Sequence, residues 1–257
     1  MKNRIAIITG ASSGIGEATA LRFAEKGVRM VLNGRDQSKL QQVQQKSDLI
    51  GKDLISRVVS GDISSGPVTE ACIAACMDAW NQKPDIFVAC AGRGLPGTVL
   101  NSDAEAWSDL LNTNISGLMY QLKGIGQAML EMCEAGRDTV NNPLDIVVIG
   151  SNIGRNVSPF NSVYGATKFA AHGLTEALRR QLAPHGIRVT LVEPGIVQTN
   201  FQEAAGYNMD WFDKYAQEVG PILKPDDVAA IISMAISFPG NVHLDNISIR
   251  PTRQAYP

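Results

Sequence analysis

Two side chains with the spacing of one helical turn could carry out acid–base chemistry in this sequence. Tyr164 and Lys168 are four residues apart, which places both side chains on one face of a helix. A tyrosine has an ordinary pKa of about 10, too high for proton transfer at neutral pH, and a neighbouring ammonium lowers that pKa by stabilising the phenolate. The spacing therefore predicts Tyr164 as a general acid/base and Lys168 as the group that tunes it.

The context of this pair matters, because tyrosine and lysine also occur at this spacing by chance. A predicted strand over 145–151 ends at Ser151, and another over 187–193 is followed by Pro194 and Gly195. Ligands of open α/β sheets bind at the carboxyl ends of the strands. A hydroxyl at that edge can hydrogen-bond to a substrate carbonyl or a developing alkoxide, so Ser151 is a third candidate catalytic residue.

A glycine-rich turn follows the first predicted strand and opens a helix: Thr9-Gly10-Ala11-Ser12-Ser13-Gly14-Ile15-Gly16. Glycines let the backbone approach a phosphate closely, and the free N–H groups and dipole of a helix N-terminus attract a pyrophosphate. A P-loop is excluded, because the Gly-Lys-Ser/Thr of that motif is missing. A plain strand-to-helix turn and a methyltransferase remain as alternatives, and a methyltransferase would need an acidic residue at the end of the second strand.

The end of the second predicted strand indicates which nucleotide is preferred. Gly34 occupies the position where an NAD-binding chain carries an acidic residue, and Arg35 follows it. A guanidinium at this point can pair with the 2′-phosphate of NADP, which favours NADP over NAD. Asp36 is the competing feature, either as the acid that binds the ribose or as the N-cap of the next helix.

Short β-branched runs alternate with longer amphipathic stretches along the chain. Runs that are apolar nearly throughout, each followed by a helix, are typical of a parallel sheet covered on both faces. The pattern predicts a single doubly wound α/β domain over residues 1–257, with a seven-stranded, mostly parallel sheet and helices on both faces. The predicted strands are 5–9, 29–33, 56–60, 86–90, 145–151, 187–193 and 246–250, and the predicted helices are 15–26, 37–49, 68–81, 105–134, 172–183 and 226–237.

Composition excludes several classes of protein. The 257 residues include 23 Lys and Arg against 25 Asp and Glu, so the chain lacks the basic excess of a nucleic-acid binder. The sequence has no run of roughly 18 or more apolar residues, which argues against a membrane span, and the short apolar run near the N-terminus does not fit a signal peptide. Cys72 and Cys76 have no nearby metal-ligand partners, so no metal is expected, and reduced thiols indicate a cytoplasmic protein.

Together these residues resemble the short-chain dehydrogenase/reductase family over nearly the whole chain, from Ile5 to Thr252. The resemblance is carried by motifs in order along the sequence: Thr9-Gly10-x3-Gly14-x-Gly16, Ala91-Gly92, Asn114, Ser151, Tyr164-x3-Lys168, and Pro194-Gly195 with Thr199. It implies a Rossmann fold and an oxidoreductase that transfers a hydride between NADP(H) and a small carbonyl or secondary alcohol. The alternative is a catalytically silent NADP-binding sensor or scaffold protein, against which the four intact candidate catalytic residues argue.

The resemblance also implies a role for each matched residue. Tyr164 exchanges a proton with the substrate oxygen, and Ser151 holds that oxygen. Lys168 also binds the nicotinamide ribose, and Asn114 holds a water that connects Lys168 to solvent. Asp62 contacts the adenine ring. The implied cofactor-binding set is Thr9, Gly10, Ser12, Ser13, Gly14, Ile15, Gly16, Arg35, Asp62, Ile63, Ala91, Gly92, Asn114, Tyr164, Lys168, Pro194, Gly195, Ile196, Val197 and Thr199.

One position departs from the family pattern. Cys90 stands where an Asn usually precedes Ala-Gly after the fourth strand. The Asn normally fixes that turn through hydrogen bonds, whereas a Cys is a weak donor and acceptor. Cys90 is interpreted as a packed thiol rather than a nucleophile, and the rigidity of the turn is open at this point.

The segment around 196–224 lies where the family carries its substrate-binding lid. Its aromatic residues either line an apolar pocket or pack within helices, and Arg93 and Arg155 either pair with a substrate carboxylate or lie solvated at the surface. Residues 225–229 and 249–252 resemble, more weakly, a subgroup that includes 3-hydroxy acid dehydrogenases and clavaldehyde reductases, which favours a small polar or acidic substrate. Family members are commonly tetramers, so a homo-oligomer, tetramer or dimer, is expected.

Overall fold

In the computed structural model, all the strands belong to one sheet and every neighbouring pair is parallel. The structure describes residues 1–52 and 55–256. The strands in these residues are β1 (Ile5–Thr9), β2 (Arg29–Gly34), β3 (Ser56–Ser60), β4 (Ile86–Ala89), β5 (Leu144–Ile149), β6 (Ile187–Pro194) and β7 (Asn246–Ile249). Their order is β3-β2-β1-β4-β5-β6-β7. The predicted seven-stranded doubly wound sheet is confirmed, and it is parallel throughout.

Helices connect the strands, and two predicted helices have different bounds. The helices are α1 (Gly14–Glu25), α2 (Gln37–Gly51), α3 (Gly66–Trp80), α4 (Trp107–Leu111), α5 (Gly117–Glu134), α6 (Ser162–Leu182), α7 (Phe201–Ala204), α8 (Met209–Val219) and α9 (Pro225–Ala235). Of these, α7 and α8 are not among the predicted helices. The predicted helix 105–134 is interrupted by a π-helical turn, Asn112–Ser116. The predicted start at 172 is wrong, because α6 begins at Ser162. No helix in the described part of the chain is both long and apolar enough to cross a membrane.

Alternation along each strand supplies two apolar cores, one on each face of the sheet. Ile8 and Leu32 pack on one face with Phe23 of α1. Ile7 and Val31, their chain neighbours, point to the other face and pack against α3, α5 and α6. Both faces are therefore covered, as continuous apolar strands of a parallel sheet require.

The strand order creates a switch point between β1 and β4. The chain runs from β1 outward to β2 and β3 on one side, and from β4 outward to β5, β6 and β7 on the other. The last residue of β1, Thr9, lies opposite Ala89, the last residue of β4. The loops that follow both strands consequently leave the same edge in opposite directions, which opens the crevice where such sheets bind ligands.

The opposite edge of the sheet is closed by buried ion pairs. Arg188 donates to both carboxylate oxygens of Asp145 at 2.7 and 3.0 Å, and its other N–H groups reach backbone carbonyls between residues 236 and 242. Arg4 joins Asp145, at 2.8 Å, to Asp85, at 3.0 Å. Burial raises the pKa of Asp85 although Arg4 and a second arginine oppose it. These charges hold together the amino-terminal ends of the strands.

Candidate active site

Helix α6 carries the tyrosine–lysine pair to the carboxyl edge of the sheet. Tyr164 is only 7% exposed, and Lys168 is partly buried one turn further along. Lys168 Nζ lies 5.9 Å from the centre of the Tyr164 ring and donates a 3.0 Å hydrogen bond to the carbonyl of Ile149, the last residue of β5. The helix thus holds both side chains against the end of β5, on one face, as their spacing predicts.

Ser151 follows β5 almost directly and meets the tyrosine hydroxyl. Its Oγ accepts a 3.3 Å bond from the N–H of Ile153, at the start of a short 3-10 turn. The Ser151 hydroxyl lies close enough to the Tyr164 hydroxyl to lower the tyrosine pKa. Two hydroxyls that converge in this way can both bind one substrate oxygen.

Burial, rather than the neighbouring ammonium, decides the pKa of Tyr164. Removal from water raises the pKa of Tyr164 above its ordinary value, Tyr207 adds to the increase, and the nearby Ser151 hydroxyl opposes it. Burial also lowers the pKa of Lys168 to about 8. Desolvation dominates the shift of the Tyr164 pKa in the protein by itself, and the predicted tuning of the tyrosine by Lys168 stays a prediction. Tyr164 is a neutral acid with a proton to donate.

Asn114 lies in the π-helical turn between α4 and α5, and its side-chain amide joins the segment after β4 to α6. Its Oδ1 accepts the N–H of Arg93 at 2.8 Å, and its Nδ2 donates to the Arg93 carbonyl at 2.9 Å. The same Nδ2 donates to Thr167 Oγ at 3.0 Å, next to Lys168 in the chain. The buried amide thereby fixes the segment after β4 against α6. Its predicted role in holding a water stays a prediction.

The glycine-rich turn is shaped for close approach of another group. Gly10 has a φ of +64°, and a Cβ there would lie 2.8 Å from the backbone nitrogen of Ala91. A Cβ on Gly16 would overlap the carbonyl of Gly10. Ser13, the N-cap of α1, makes no side-chain capping hydrogen bond. The first N–H groups of α1 therefore have no acceptor from the N-cap side chain, which fits a pyrophosphate at this helix N-terminus.

Charged residues that could contact the adenosine end of a dinucleotide lie near the end of β2. Asp36 accepts the N–H of Lys39 at 3.0 Å and caps α2, which decides between the two interpretations of this residue. Arg35 is exposed beside it. Hydrogen bonds from Ser64 are the main cause of the lowered pKa of Asp62, and the Arg35 charge contributes. A guanidinium and a carboxylate thus stand near each other at the edge of the crevice, while Gly34 adds no carboxylate.

The other predicted cofactor residues lie along the same edge. Thr9 is buried and donates to Gln121 at 2.8 Å, so it supports the turn from inside. A Cβ on Gly14 would lie 3.3 Å from Thr199, so the turn after β1 touches the loop after β6. The rest lie within or beside the turns after β1, β3, β4 and β6: Ser12, Ile15, Ile63, Ala91, Gly92, Pro194, Gly195, Ile196 and Val197.

Cys90 is a protonated thiol at the end of β4. Burial raises the pKa of Cys90 to about 12, although the charge of Lys168 acts in the opposite direction. The turn that it begins is held by other groups: the N–H of Ala91 donates to Thr9 Oγ at 3.4 Å, and Asn114 grips Arg93. These bonds hold the turn without an Asn side chain at position 90.

Side chains of the segment 196–224 and the residue before α6 lie around Tyr164. Phe201 packs on the Tyr164 ring with the centroids 5.9 Å apart. The Tyr207 hydroxyl donates a long 3.4 Å bond to the Leu95 carbonyl, and it accepts a 3.5 Å bond from Asn161 Nδ2. Asn161 Oδ1 is buried and has no hydrogen-bond partner within the described residues. An unused acceptor therefore lies three residues before Tyr164, at the N-cap of α6.

Comparison with known proteins identifies the family. The family described as short chain dehydrogenase matches residues 4–210. An uncharacterized oxidoreductase of Staphylococcus aureus (strain MW2) is 30% identical over 251 residues, which are 98% of each chain. The chain belongs to the short chain dehydrogenase family.

Solved structures of other family members share its shape. The closed form of a serine dehydrogenase complexed with NADP+ has a TM-score of 0.86 and 27% identity, covering 98% of this chain and 96% of that one. A variant of actinorhodin polyketide ketoreductase with NADPH has a TM-score of 0.83 and 26% identity, covering 100% of both chains.

In this family member, a cavity of about 490 Å³ lies between the segment after β4 and α7. Arg93 lines the cavity and forms a 2.8 Å ion pair with the exposed Asp109. Arg155 is the other arginine considered for a substrate carboxylate. Its Nε and Nη2 donate instead to the two carboxylate oxygens of Glu193, at 2.8 and 2.9 Å. Arg93 therefore remains the candidate.

Sequence reasoning missed three residues that the fold brings to the site. His172 extends the Tyr164–Lys168 face of α6 by a turn, Asn161 is the N-cap of that helix, and Glu193 is the buried residue before Pro194. The helical spacing could have revealed His172. The partners of Glu193 are 38 and 53 residues away along the chain, so no local pattern reveals its role.

Proposed function

We propose that this protein is an NADP-dependent oxidoreductase that interconverts a small ketone or aldehyde with the corresponding alcohol. The observation that carries the proposal is the convergence of the Ser151 and Tyr164 hydroxyls beside Lys168, at the same edge as the glycine turn of α1. A nicotinamide cofactor at this edge would supply or accept the hydride. The serine dehydrogenase and the ketoreductase above, solved with NADP+ and NADPH, support the same cofactor.

The chain's own residues supply the proton and hold the oxygen. In the reducing direction, Ser151 donates a hydrogen bond to the carbonyl oxygen, and the Tyr164 proton passes to that oxygen as the carbon gains a hydride. The Lys168 ammonium stabilises the tyrosinate that remains, and a proton from solvent restores it. An ammonium has three N–H groups, and the Ile149 carbonyl takes one. The other two are available to a cofactor ribose and to a water.

Replacement of Tyr164 by Phe tests the proposal. The Tyr164→Phe variant should lose about 10²–10⁴-fold in kcat and keep its affinity for NADPH, measured by quenching of protein fluorescence. Tyr207→Phe, which removes a neighbouring hydroxyl, is the matched control and should retain most of the turnover. Activity retained by Tyr164→Phe would disprove the acid/base assignment. A wild-type protein that binds NADPH but converts nothing in a broad carbonyl and alcohol panel would favour the sensor alternative.

The preference for NADP is proposed from the residues that follow β2. Arg35 is exposed and can pair with a 2′-phosphate, while Asp36 is engaged as a helix cap. We expect kcat/KM to be higher with NADPH than with NADH, and Arg35→Leu to reduce that ratio without changing kcat. Lys39→Leu, one turn into α2, controls for the loss of a nearby charge. Higher kcat/KM with NADH would refute the preference.

A polar substrate is proposed from the groups around Tyr164. Asn161 Oδ1 is an unused acceptor, and Arg93 presents a cation in the adjoining cavity. Both favour a hydroxy acid or a related small polar molecule, and similarity to a serine dehydrogenase agrees. Steady-state assay of 3-hydroxy acids, serine among them, against neutral secondary alcohols of equal length tests this. Equal kcat/KM for both groups would contradict it.

We propose residues 1–257 as one catalytic domain of a cytoplasmic protein, in which 196–224 forms the substrate lid. The packing of Phe201 against Tyr164 supports the lid, because it makes access to the tyrosine depend on this segment. Limited proteolysis provides the measurement: NADP and substrate together should protect this segment from cleavage. Cleavage that is unchanged by both ligands would argue against a lid.

A homo-oligomer, tetramer or dimer, is proposed from α5. Leu118, Leu122 and Ile125 pack in the core, whereas Met119 and Tyr120 are 51% and 47% exposed. Large apolar side chains that stay exposed next to each other are typical of an interface. Light scattering should give a multiple of the chain mass, which Tyr120→Glu should reduce. A monomeric wild-type protein would overturn the proposal.

A further inference from the structure

Tyr164 and Lys168 are the first two members of a longer stripe on α6. His172 follows Lys168 by four residues, so all three side chains lie on one face. Each reaches a different atom near the end of β5. Lys168 binds the carbonyl of Ile149 at 3.0 Å, and His172 Nε2 accepts the backbone N–H of Ser151 at 3.3 Å.

The imidazole of His172 fits between two glycines of the loop after β5. A Cβ on Gly150 would lie 2.5 Å from His172 Nε2, and a Cβ on Gly154 would overlap the same ring. Any other residue at either position would push the imidazole away from Ser151. The local sequence is therefore matched to a ring in this place, which points to a specific contact rather than to general packing.

A buried carboxylate faces the other side of the ring. His172 Nδ1 faces Glu193 Oε1 at 3.6 Å, and Glu193 has 0% exposure. Arg155 holds both oxygens of that carboxylate at 2.8 and 2.9 Å, and Asn246 Nδ2 donates to Oε1 at 2.7 Å. Because Nε2 accepts a hydrogen bond, the neutral ring carries its proton on Nδ1, which points to the carboxylate.

We propose that His172 is a positioning residue: neutral and anchored on Glu193, it holds the backbone of Ser151 and thereby places the hydroxyl that binds the substrate oxygen. The inference rests on the function proposed above. Glu193 also precedes Pro194 and Gly195, which are expected to line the nicotinamide. One carboxylate thus connects the substrate-binding serine of the β5 loop with the cofactor loop after β6.

Protonation of His172 would break this arrangement. A protonated ring presents an N–H at Nε2, which would face the N–H of Ser151, and two donors repel. The charged groups around the ring are Glu193 from β6, Arg155 from the loop after β5 and Lys168 on α6 itself. Burial is the main cause of the lowered pKa of His172, both cations act in the same direction, and Glu193 opposes them. The contact is therefore intact near neutral pH and is lost only below the ordinary histidine pKa of about 6.5.

Two substitutions separate the acceptor from the bulk of the ring. His172→Gln keeps an acceptor near the position of Nε2 and should retain most of kcat, whereas His172→Met keeps volume without an acceptor and should lose about 10- to 100-fold. Melting temperature and NADPH affinity check that both variants are folded. In a Ser151→Ala background, His172→Met should cost no further activity beyond about twofold, because its effect passes through the serine hydroxyl. Losses that multiply would identify a merely structural role and overturn the proposal.

The pH profile supplies a readout that packing alone would not change. The sequence contains three histidines, His172, His185 and His243. We expect kcat to fall below about pH 6.5 in the wild type, in His185→Gln and in His243→Gln, and this acid limb to disappear in His172→Gln. An acid limb that persists in His172→Gln would contradict the proposal.

A measurement without turnover keeps the inference distinct from the function. Ring nitrogen NMR of the wild type at pH 7.5 should show the His172 proton on Nδ1, and the assignment is checked by the loss of that signal in His172→Gln. A proton on Nε2 would overturn the inference whatever the activity. Failure of the proposed function would appear differently, as a wild-type protein that turns over no carbonyl or alcohol.

Discussion

The two edges of the sheet both bury charged and polar side chains, but they use them differently. At the amino-terminal edge, Arg188 directs its N–H groups to Asp145 and to backbone carbonyls, and Arg4 links Asp145 to Asp85. At the carboxyl edge, Lys168 donates one of its three N–H groups to the carbonyl of Ile149, and Asn161 Oδ1 has no partner within the described residues. The two arginines at the amino-terminal edge thus make their bonds within the protein, whereas Lys168 and Asn161 at the carboxyl edge keep atoms that can still bind a ligand.

This difference indicates which buried polar groups support the fold and which serve chemistry. A buried group with all its bonds made internally has nothing left for a ligand, and its loss leaves a partner charge without compensation. A buried group that lacks a hydrogen-bond partner lowers the stability of the free protein. A ligand that bonds to this group offsets that loss when it binds. Removal of a residue at one edge should therefore change folding, and removal at the other should change turnover.

The largest expected effect is on folding, at the amino-terminal edge. Arg188→Met should lower the free energy of unfolding by about 3–5 kcal/mol, because it leaves the buried Asp145 short of a partner. Urea denaturation measures the change, and the activity per folded molecule should stay constant. Arg180→Met is the control, since its ion pair with Glu176 is solvent-exposed and should leave the urea midpoint unchanged. A stable Arg188→Met variant with reduced activity would reverse the proposed division between the edges.

The next largest effect is on turnover, at the carboxyl edge. Lys168→Met should reduce kcat by about 100-fold, because no ammonium then stabilises the tyrosinate. Its melting temperature should equal or exceed that of the wild type, since a partly buried charge with incomplete bonding is removed. A large loss of stability would place Lys168 with the arginines of the amino-terminal edge and contradict the comparison.

A smaller effect concerns pH, and it arises at the carboxyl edge. Burial lowers the pKa of Lys168 to about 8, so the ammonium is present below that pH and is lost as the pH rises through it. Reductive kcat should therefore decline above about pH 8, whereas the contribution of Lys168 to the free energy of unfolding should rise over the same range, because the folded protein no longer buries a charge. Lys168→Arg keeps its charge, so any activity that it retains should show no such decline. A decline of the same shape in Lys168→Arg would assign the titration to another group.

Sequence reasoning reached most of the fold because the strands bury apolar, β-branched runs on both faces. It placed the start of α6 at 172 instead of Ser162, and the physical reason is instructive. The buried positions of residues 162–171 are Tyr164, Gly165, Thr167 and Ala171, which are small or carry a hydroxyl, so this segment shows no regular stripe of large apolar residues. The segment that holds the candidate catalytic pair was thus the one whose helical pattern was hardest to recognise.

The candidate site was predictable where its chemistry is local and not where it depends on distant partners. Tyr164 and Lys168 share a helical turn, and the glycine turn is continuous in sequence. By contrast, His172 lies 21 residues from Ser151, its hydrogen-bond partner, and such a contact exists only once β5 and α6 have packed. The pKa of Tyr164 was not predictable either, because spacing shows a neighbouring ammonium but does not show how strongly burial raises that pKa.

The smallest expected effect is on substrate choice, through Asn161. Asn161→Leu removes the unused acceptor at the carboxyl edge, so it should cost about tenfold, the worth of one hydrogen bond, for substrates that carry a donor near the reacting carbon. The measurement compares kcat/KM for a 3-hydroxy acid with an amino or hydroxyl group on carbon 2 against the same acid without it. The ratio should collapse in Asn161→Leu and persist in Asn161→Asp, which keeps an acceptor oxygen. Equal losses of kcat/KM for both substrates would make Asn161 a structural residue at the start of α6. A buried acceptor without a hydrogen-bond partner at this edge would then not by itself identify a group that binds substrate.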